Sequence, residues 1–170
     1  MSRIVMKFGG TSVGSVERIN HVADIVRSEV DAKNQVVVVL SAMAGETDRL
    51  VNLTKDLSKD FSASEYDVVI SSGEQVSVGA LSGLLNSLGV KSQSLLGWQV
   101  PIMTSSDHKS SRIEAISSKV ILKLLKENNV VIIPGFQGIT SEGRVTTLGR
   151  GGSDTSAVAI AAAIKADFCD

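Results

Sequence analysis

The sequence predicts an α/β protein, a three-layer α/β/α sandwich around a mainly parallel central sheet. Two observations carry this expectation. Short runs rich in Val and Ile alternate with longer segments of helical period along the whole chain, the pattern of strands joined by crossover helices. The run Val36, Val37, Val38, Val39, Leu40 is continuously apolar, as a strand covered on both faces is.

Arg3–Phe8 is the first strand candidate. Beyond the glycines that follow it, Val16, Ile19, Ala23, Val26 and Val30 recur at three- and four-residue steps, so residues 15–32 predict an amphipathic helix. Residues 36–40 give the buried parallel strand, and 47–59 a second helix with Leu50, Leu53 and Leu57 on one face. Residues 65–88 keep helical spacing despite Gly73, Gly79 and Gly83, and Gly89 stands where a C-terminal cap belongs. Each internal glycine costs a helix about 1 kcal/mol relative to alanine, which predicts close packing or ligand approach at these positions.

Residues 90–96 read as a strand. The spacing of Ile116, Val120 and Leu124 predicts a helix over 113–127, closed by Asn128 and Asn129 before a strand at 130–133 that Pro134 and Gly135 end. Residues 139–148, broken by Glu142 and Gly143, predict a β-hairpin and a candidate flap. The alanine-rich segment 153–166 is a helix, and 167–170 lead toward a further strand that the chain does not complete.

With 170 residues, 43% of them hydrophobic, the chain can bury one real core. Lys+Arg number 17 and Asp+Glu 18. That balance leaves no basic field for nucleic acid or an anionic membrane. No apolar run approaches the ~20 residues of a membrane span, and no signal-peptide pattern opens the chain, so a cytoplasmic protein is expected. A single cysteine, Cys169, excludes an internal disulfide and an all-thiolate metal site. His21 and His108 have no sequence partner, so no protein-held metal is expected and each reads as a surface or boundary histidine.

Three glycine-rich stretches and one strand end carry the candidate chemistry. Lys7-Phe8-Gly9-Gly10-Thr11-Ser12 follows the first strand; glycine amides and a lysine suit phosphate, and an ordinary tight turn explains the same residues. It matches neither the Walker spacing nor the dinucleotide fingerprint. Gly149-Arg150-Gly151-Gly152-Ser153-Asp154 precedes the alanine-rich helix. Loop amides and a helix N-terminus suit an anion, and Arg150 can hold a carboxylate with two hydrogen bonds; Ser153 or Asp154 as a plain N-cap is the alternative. Glu74, in Ser71-Ser72-Gly73-Glu74-Gln75, sits among small and apolar residues. An ionised carboxylate there needs a cation such as a substrate ammonium, unless this is a solvated helix face. Ser41 to Thr47 lies where ligands collect in open parallel sheets, although Thr47 could also cap the next helix.

Taken together and in order, these motifs, with Pro134-Gly135-Phe136-Gln137-Gly138, closely resemble the aspartate kinases of the amino-acid kinase superfamily over essentially the whole chain. The resemblance implies ATP-dependent phosphorylation of the side-chain carboxylate of L-aspartate, the first step of the route to lysine, threonine and methionine, with Mg2+ carried by the nucleotide. It implies catalytic roles for Lys7 and Asp154, and nucleotide-phosphate contacts at Lys7, Phe8, Gly9, Gly10 and Ser41. Aspartate would be held by Ser41, Gly45, Glu46, Thr47, Glu74, Arg150, Gly151, Gly152, Ser153 and Asp154. Glu74 would take the α-amino group and Arg150 the α-carboxylate. Because aspartate kinases continue into an adenine-binding segment and regulatory domains, the chain is expected to be the amino-terminal, substrate-binding portion of a catalytic domain, inactive alone, from a parent that forms homo-oligomers. A related kinase with another acceptor, or a non-catalytic amino-acid-binding module, are the rival readings; fusion of the parent to a homoserine dehydrogenase stays open.

Overall fold

The computed structural model describes residues 1–170. Its centre is a five-stranded sheet in the order β3-β6-β2-β1-β9, formed by β1 (Arg3–Phe8), β2 (Gln35–Leu40), β3 (Ser92–Ser94), β6 (Val130–Pro134) and β9 (Phe168–Cys169). Every pairing in it is parallel. Alternate residues of each strand feed two separate cores. Val5, Val37, Val39, Val131 and Ile133 pack with α4 (Lys119–Lys126) and α5 (Gly152–Ile164). Met6, Val36, Val38, Leu40, Val130 and Ile132 pack with α1 (Val16–Asp31) and α3 (Ala63–Ser87) on the other face. That division is the expected three-layer sandwich.

The helices predicted over 15–32, 65–88 and 153–166 form, and the one over 47–59 forms with Leu50 buried but Leu53 and Leu57 exposed, so its expected three-leucine packing face does not hold. Ser15 caps α1 by accepting a hydrogen bond from the Arg18 N–H, and Gly89 takes φ +80° just past α3. The helix α2 (Glu46–Leu57) packs on α3. At 25 residues, α3 is long and apolar enough to cross a membrane by composition, yet half of that stretch is buried within the fold. Residues 167–170 do join the sheet: β9 lies parallel to β1 at its edge.

Five points differ from expectation. The segment 113–127 is not one helix, because Ile113–Ile116 forms β5 and α4 begins only at Lys119. The strand at 90–96 shortens to β3. A second sheet, β5-β4-β7-β8, was not anticipated; it adds β4 (Ile102–Thr104) and the hairpin β7 (Gln137–Ile139) and β8 (Val145–Thr147). That hairpin, read as a candidate flap, is anchored: Gln137, Thr146 and Thr147 are buried against α3 and β4. Of the α3 glycines, only Gly73 is closely packed, a Cβ there lying 3.0 Å from the Ala42 methyl, whereas Gly79 and Gly83 face open space.

Candidate functional site

The carboxyl ends of β1, β2 and β6 and the start of α5 enclose one cleft of about 360 Å3, the position open parallel sheets give their ligands. Each wall comes from a motif that the sequence singled out. The backbone N–H of Ser41 donates to the Phe8 carbonyl at 3.1 Å, and that of Gly135 to the Leu40 carbonyl at 2.8 Å. These bonds bring the three strand ends into register around the opening.

Close approach explains the glycines that matter. A Cβ on Gly10 would lie 2.8 Å from the Ala42 carbonyl, one on Gly135 2.7 Å from the Ser153 hydroxyl, and one on Gly152 2.7 Å from the Phe136 ring. Only glycine lets these loops meet. Phe136, a non-glycine residue, takes φ +69°, a conformation costing about 1 kcal/mol or more. It is held there by its N–H donating to the Ser156 hydroxyl at 3.0 Å and its carbonyl accepting from the Leu148 N–H at 2.8 Å.

The cap alternatives fail. Gly151, at φ +73°, is the N-cap of α5, and Gly45, at φ +81°, that of α2; neither helix has a side-chain cap. Ser153, Asp154 and Thr47 therefore stand in first turns with their side chains available to the cleft. The Lys7 Nζ is 2.8 Å from an Asp154 carboxylate oxygen, and the Ser41 hydroxyl donates to that of Ser153 at 3.0 Å. Both pairs bridge the β1–β2 side to the N-terminus of α5. The lysine, the amides of that N-terminus and the hydroxyl pair together make a surface for an anion.

Glu74 also lines the cleft and is only 3% exposed. One carboxylate oxygen, Oε2, has no hydrogen-bond partner. Burial pushes its pKa up to about 7, with the backbone N–H groups of Glu74 and Ala42 pulling the other way. An acid in this state is poised to accept a cationic donor. In the same cleft, Arg150 is exposed and engages no acidic side chain. A buried carboxylate with one unpartnered oxygen thus shares one cleft with a free guanidinium.

Of the candidate residues, Lys7, Gly10, Ser41, Gly45, Thr47, Glu74, Arg150, Gly151, Gly152, Ser153 and Asp154 line the cleft. Phe8, Gly9 and Glu46 do not. Gly9 lies behind the lysine, its Cβ position 3.5 Å from the Lys7 Nζ. Glu46 is taken up by Arg49, at 2.9 and 2.7 Å, and that pairing lowers its pKa. Ala42, Met43, Ala44, Phe136 and Gly149 also line the cleft, and they lie in the motifs already quoted, so the signal was position within a motif rather than side-chain chemistry. His108 corrects its reading as an isolated histidine: its Nδ1 is 2.7 Å from the buried carboxylate of Asp67.

The profile of the amino acid kinase family matches residues 2–169. The chain belongs to that family. It is 54% identical over 170 residues to the aspartokinase of Geobacillus stearothermophilus, covering 100% of this chain and 42% of that protein. With the aspartate kinase of Pseudomonas fluorescens the identity is 53%, covering 99% and 41%. Among solved structures, aspartate kinase from Synechocystis superposes with a TM-score of 0.82 at 48% identity, over 98% of this chain and 27% of that one. Aspartokinase III of Escherichia coli, solved with aspartate and ADP, gives a TM-score of 0.88 at 28% identity, over 98% and 48%. The chain therefore spans about two fifths of the length of the curated relatives it matches.

Proposed function

We propose that this chain is the aspartate-binding and phosphate-binding portion of an aspartate kinase, a cytoplasmic enzyme that phosphorylates the side-chain carboxylate of L-aspartate with MgATP. The observation that carries the proposal is the presence, in one cleft, of the buried carboxylate of Glu74, one oxygen of which has no partner, and the free guanidinium of Arg150. An α-amino acid satisfies both. Its ammonium gives Glu74 the cation that favours ionisation, and its α-carboxylate matches the two parallel N–H groups of Arg150.

With the α-carbon held between these two groups, the side-chain carboxylate is directed toward Lys7, Ser41 and Ser153. There Lys7 and the N-terminus of α5 meet negative charge, and the Gly9–Gly10 turn, where Gly10 has no room for a side chain, offers backbone N–H groups to a phosphate oxygen. The chemistry is direct: an aspartate carboxylate oxygen bonds to the γ-phosphorus as the bond to the ADP oxygen breaks, without a covalent intermediate on the protein. These residues act by positioning and charge neutralisation. Asp154 holds Lys7 in place. Magnesium enters with the nucleotide.

Titration calorimetry of the chain tests this reading. L-Aspartate is expected to bind, succinate, which lacks the ammonium, to bind at least 30-fold more weakly, and Glu74→Ala or Arg150→Ala to weaken aspartate 100-fold or more. A folded chain that ignores aspartate and takes up another amino acid contradicts the aspartate assignment.

A further inference from the structure

A second buried acid lies on the helix that carries Glu74. Asp67 is 0% exposed and stands seven residues earlier on α3, two turns or about 10 Å along the same face. Its carboxylate accepts from the Thr147 hydroxyl at 2.6 Å and from the Lys109 N–H at 3.1 and 3.2 Å, and it meets the His108 Nδ1 at 2.7 Å. The Thr147 hydroxyl bonds to a carboxylate and not to an imidazole, so this trio contains no activated nucleophile.

The connection leads to the cleft. Thr147 is the last residue of β8 and is itself 0% exposed; Arg150 follows it by three. The intervening backbone is pinned by the Leu148 N–H donating to Phe136 at 2.8 Å, and Gly152 has no room for a Cβ against Phe136 and Leu148. The partner strand of the hairpin is tied to α3 as well, because the Gln137 side-chain amide donates to the Ser71 carbonyl at 3.0 Å. The hairpin is thus fastened to α3 at three levels, by Arg144 to Glu65 near the start of the helix and by Thr147 to Asp67 and Gln137 to Ser71 within the two turns ending at Glu74. A displacement at Thr147 has a short, stiff path to Arg150.

We propose that Asp67 is a positioning residue: by holding Thr147 it fixes the height of turn 149–152 against α3, and so sets the separation of Arg150 from Glu74. The inference rests on the reading of that cleft as an amino-acid site. It makes aspartate affinity depend on a carboxylate that the substrate does not touch.

Two measurements on the chain test it. In hydrogen exchange, Thr147→Val is expected to speed exchange of the hydrogen-bonded amides of Leu148 and Gly152 at least tenfold while those of β1 and β2 keep their protection. In calorimetry it raises the aspartate Kd about tenfold, Thr147→Ser restores it to within twofold, and on an Arg150→Lys background Thr147→Val adds less than twofold. Asp67→Asn repeats the Thr147→Val pattern. If the variants fold and both the exchange of Leu148 and Gly152 and the aspartate Kd stay within twofold of wild type, or if the two substitutions multiply fully, the positioning role is wrong. Wild-type chain that binds neither aspartate nor another amino acid contradicts the amino-acid reading instead, and the exchange comparison then decides the positioning claim alone.

Discussion

Glu74 and Asp67 are two buried acids on one helix, and their surroundings are opposite. Asp67 is sealed in, with a hydroxyl, a backbone amide and an imidazole all directed at it. Glu74 is as deeply placed, at 3% exposure, yet it faces a cleft and leaves one oxygen without a partner. A scaffold satisfies the acids it buries, because each missing bond costs about 1 to 3 kcal/mol. An acid left incomplete at the wall of a cleft marks the place where a ligand completes it.

The sharpest way to break this comparison is to neutralise each acid in turn. Asp67→Asn turns a carboxylate surrounded by donors into an amide facing them, and a loss of about 3 kcal/mol in urea unfolding is expected. Glu74→Gln goes the other way. The folded protein binds a proton at Glu74 more tightly than the unfolded chain does, so stability falls as pH rises through the window from the ordinary value near 4.5 to about 7. Above that window the charge costs the ligand-free fold about 3 kcal/mol; Glu74→Gln is expected to recover much of it at pH 8 and to make little difference at pH 4. Equal destabilisation by both substitutions at pH 8 contradicts the distinction.

A smaller effect separates the glycines of the cleft from those of the helix. Gly135→Ala drives a methyl group to 2.7 Å from the Ser153 hydroxyl, and about 2 kcal/mol of destabilisation with weaker aspartate binding is expected from denaturation and calorimetry. Gly79→Ala meets nothing within 4 Å. It is expected to stabilise the chain by about 0.5 to 1 kcal/mol, seen as a higher melting temperature with unchanged aspartate affinity.

The same contrast explains what the sequence could disclose. The central sheet and its helices were legible because Val36 to Leu40, or Val16 through Val30, carry one unambiguous period each. Most of the cleft was legible because its glycines cluster at strand ends. The second sheet was hidden: β4 and β7 have three residues each, too few to establish alternation, and the spacing of Ile113, Ile116 and Val120 imitates a helix across the break at Ser117 and Ser118. The partners of Asp67 lie 41 and 80 residues away. No local pattern could join Asp67 to His108 or Thr147, and the anchoring of the hairpin was hidden with them. At Glu74 the mere presence of an acid among apolar residues was the signal, whereas Gly79 and Gly83 raised an expectation of close packing that the open space beside them does not meet.

The most direct test of the central claim is the pH dependence of L-aspartate affinity, measured by calorimetry between pH 5 and 8 for wild type and Glu74→Gln. Both carboxylates of aspartate are ionised throughout this range, so a change in affinity reports the protein. If Glu74 must lose its proton to receive the substrate ammonium, wild-type affinity rises close to tenfold per pH unit up to about pH 7 and then levels off, while Glu74→Gln binds weakly and without that slope. A wild-type affinity that is flat from pH 5 to 8, or a slope that survives in Glu74→Gln, contradicts the account.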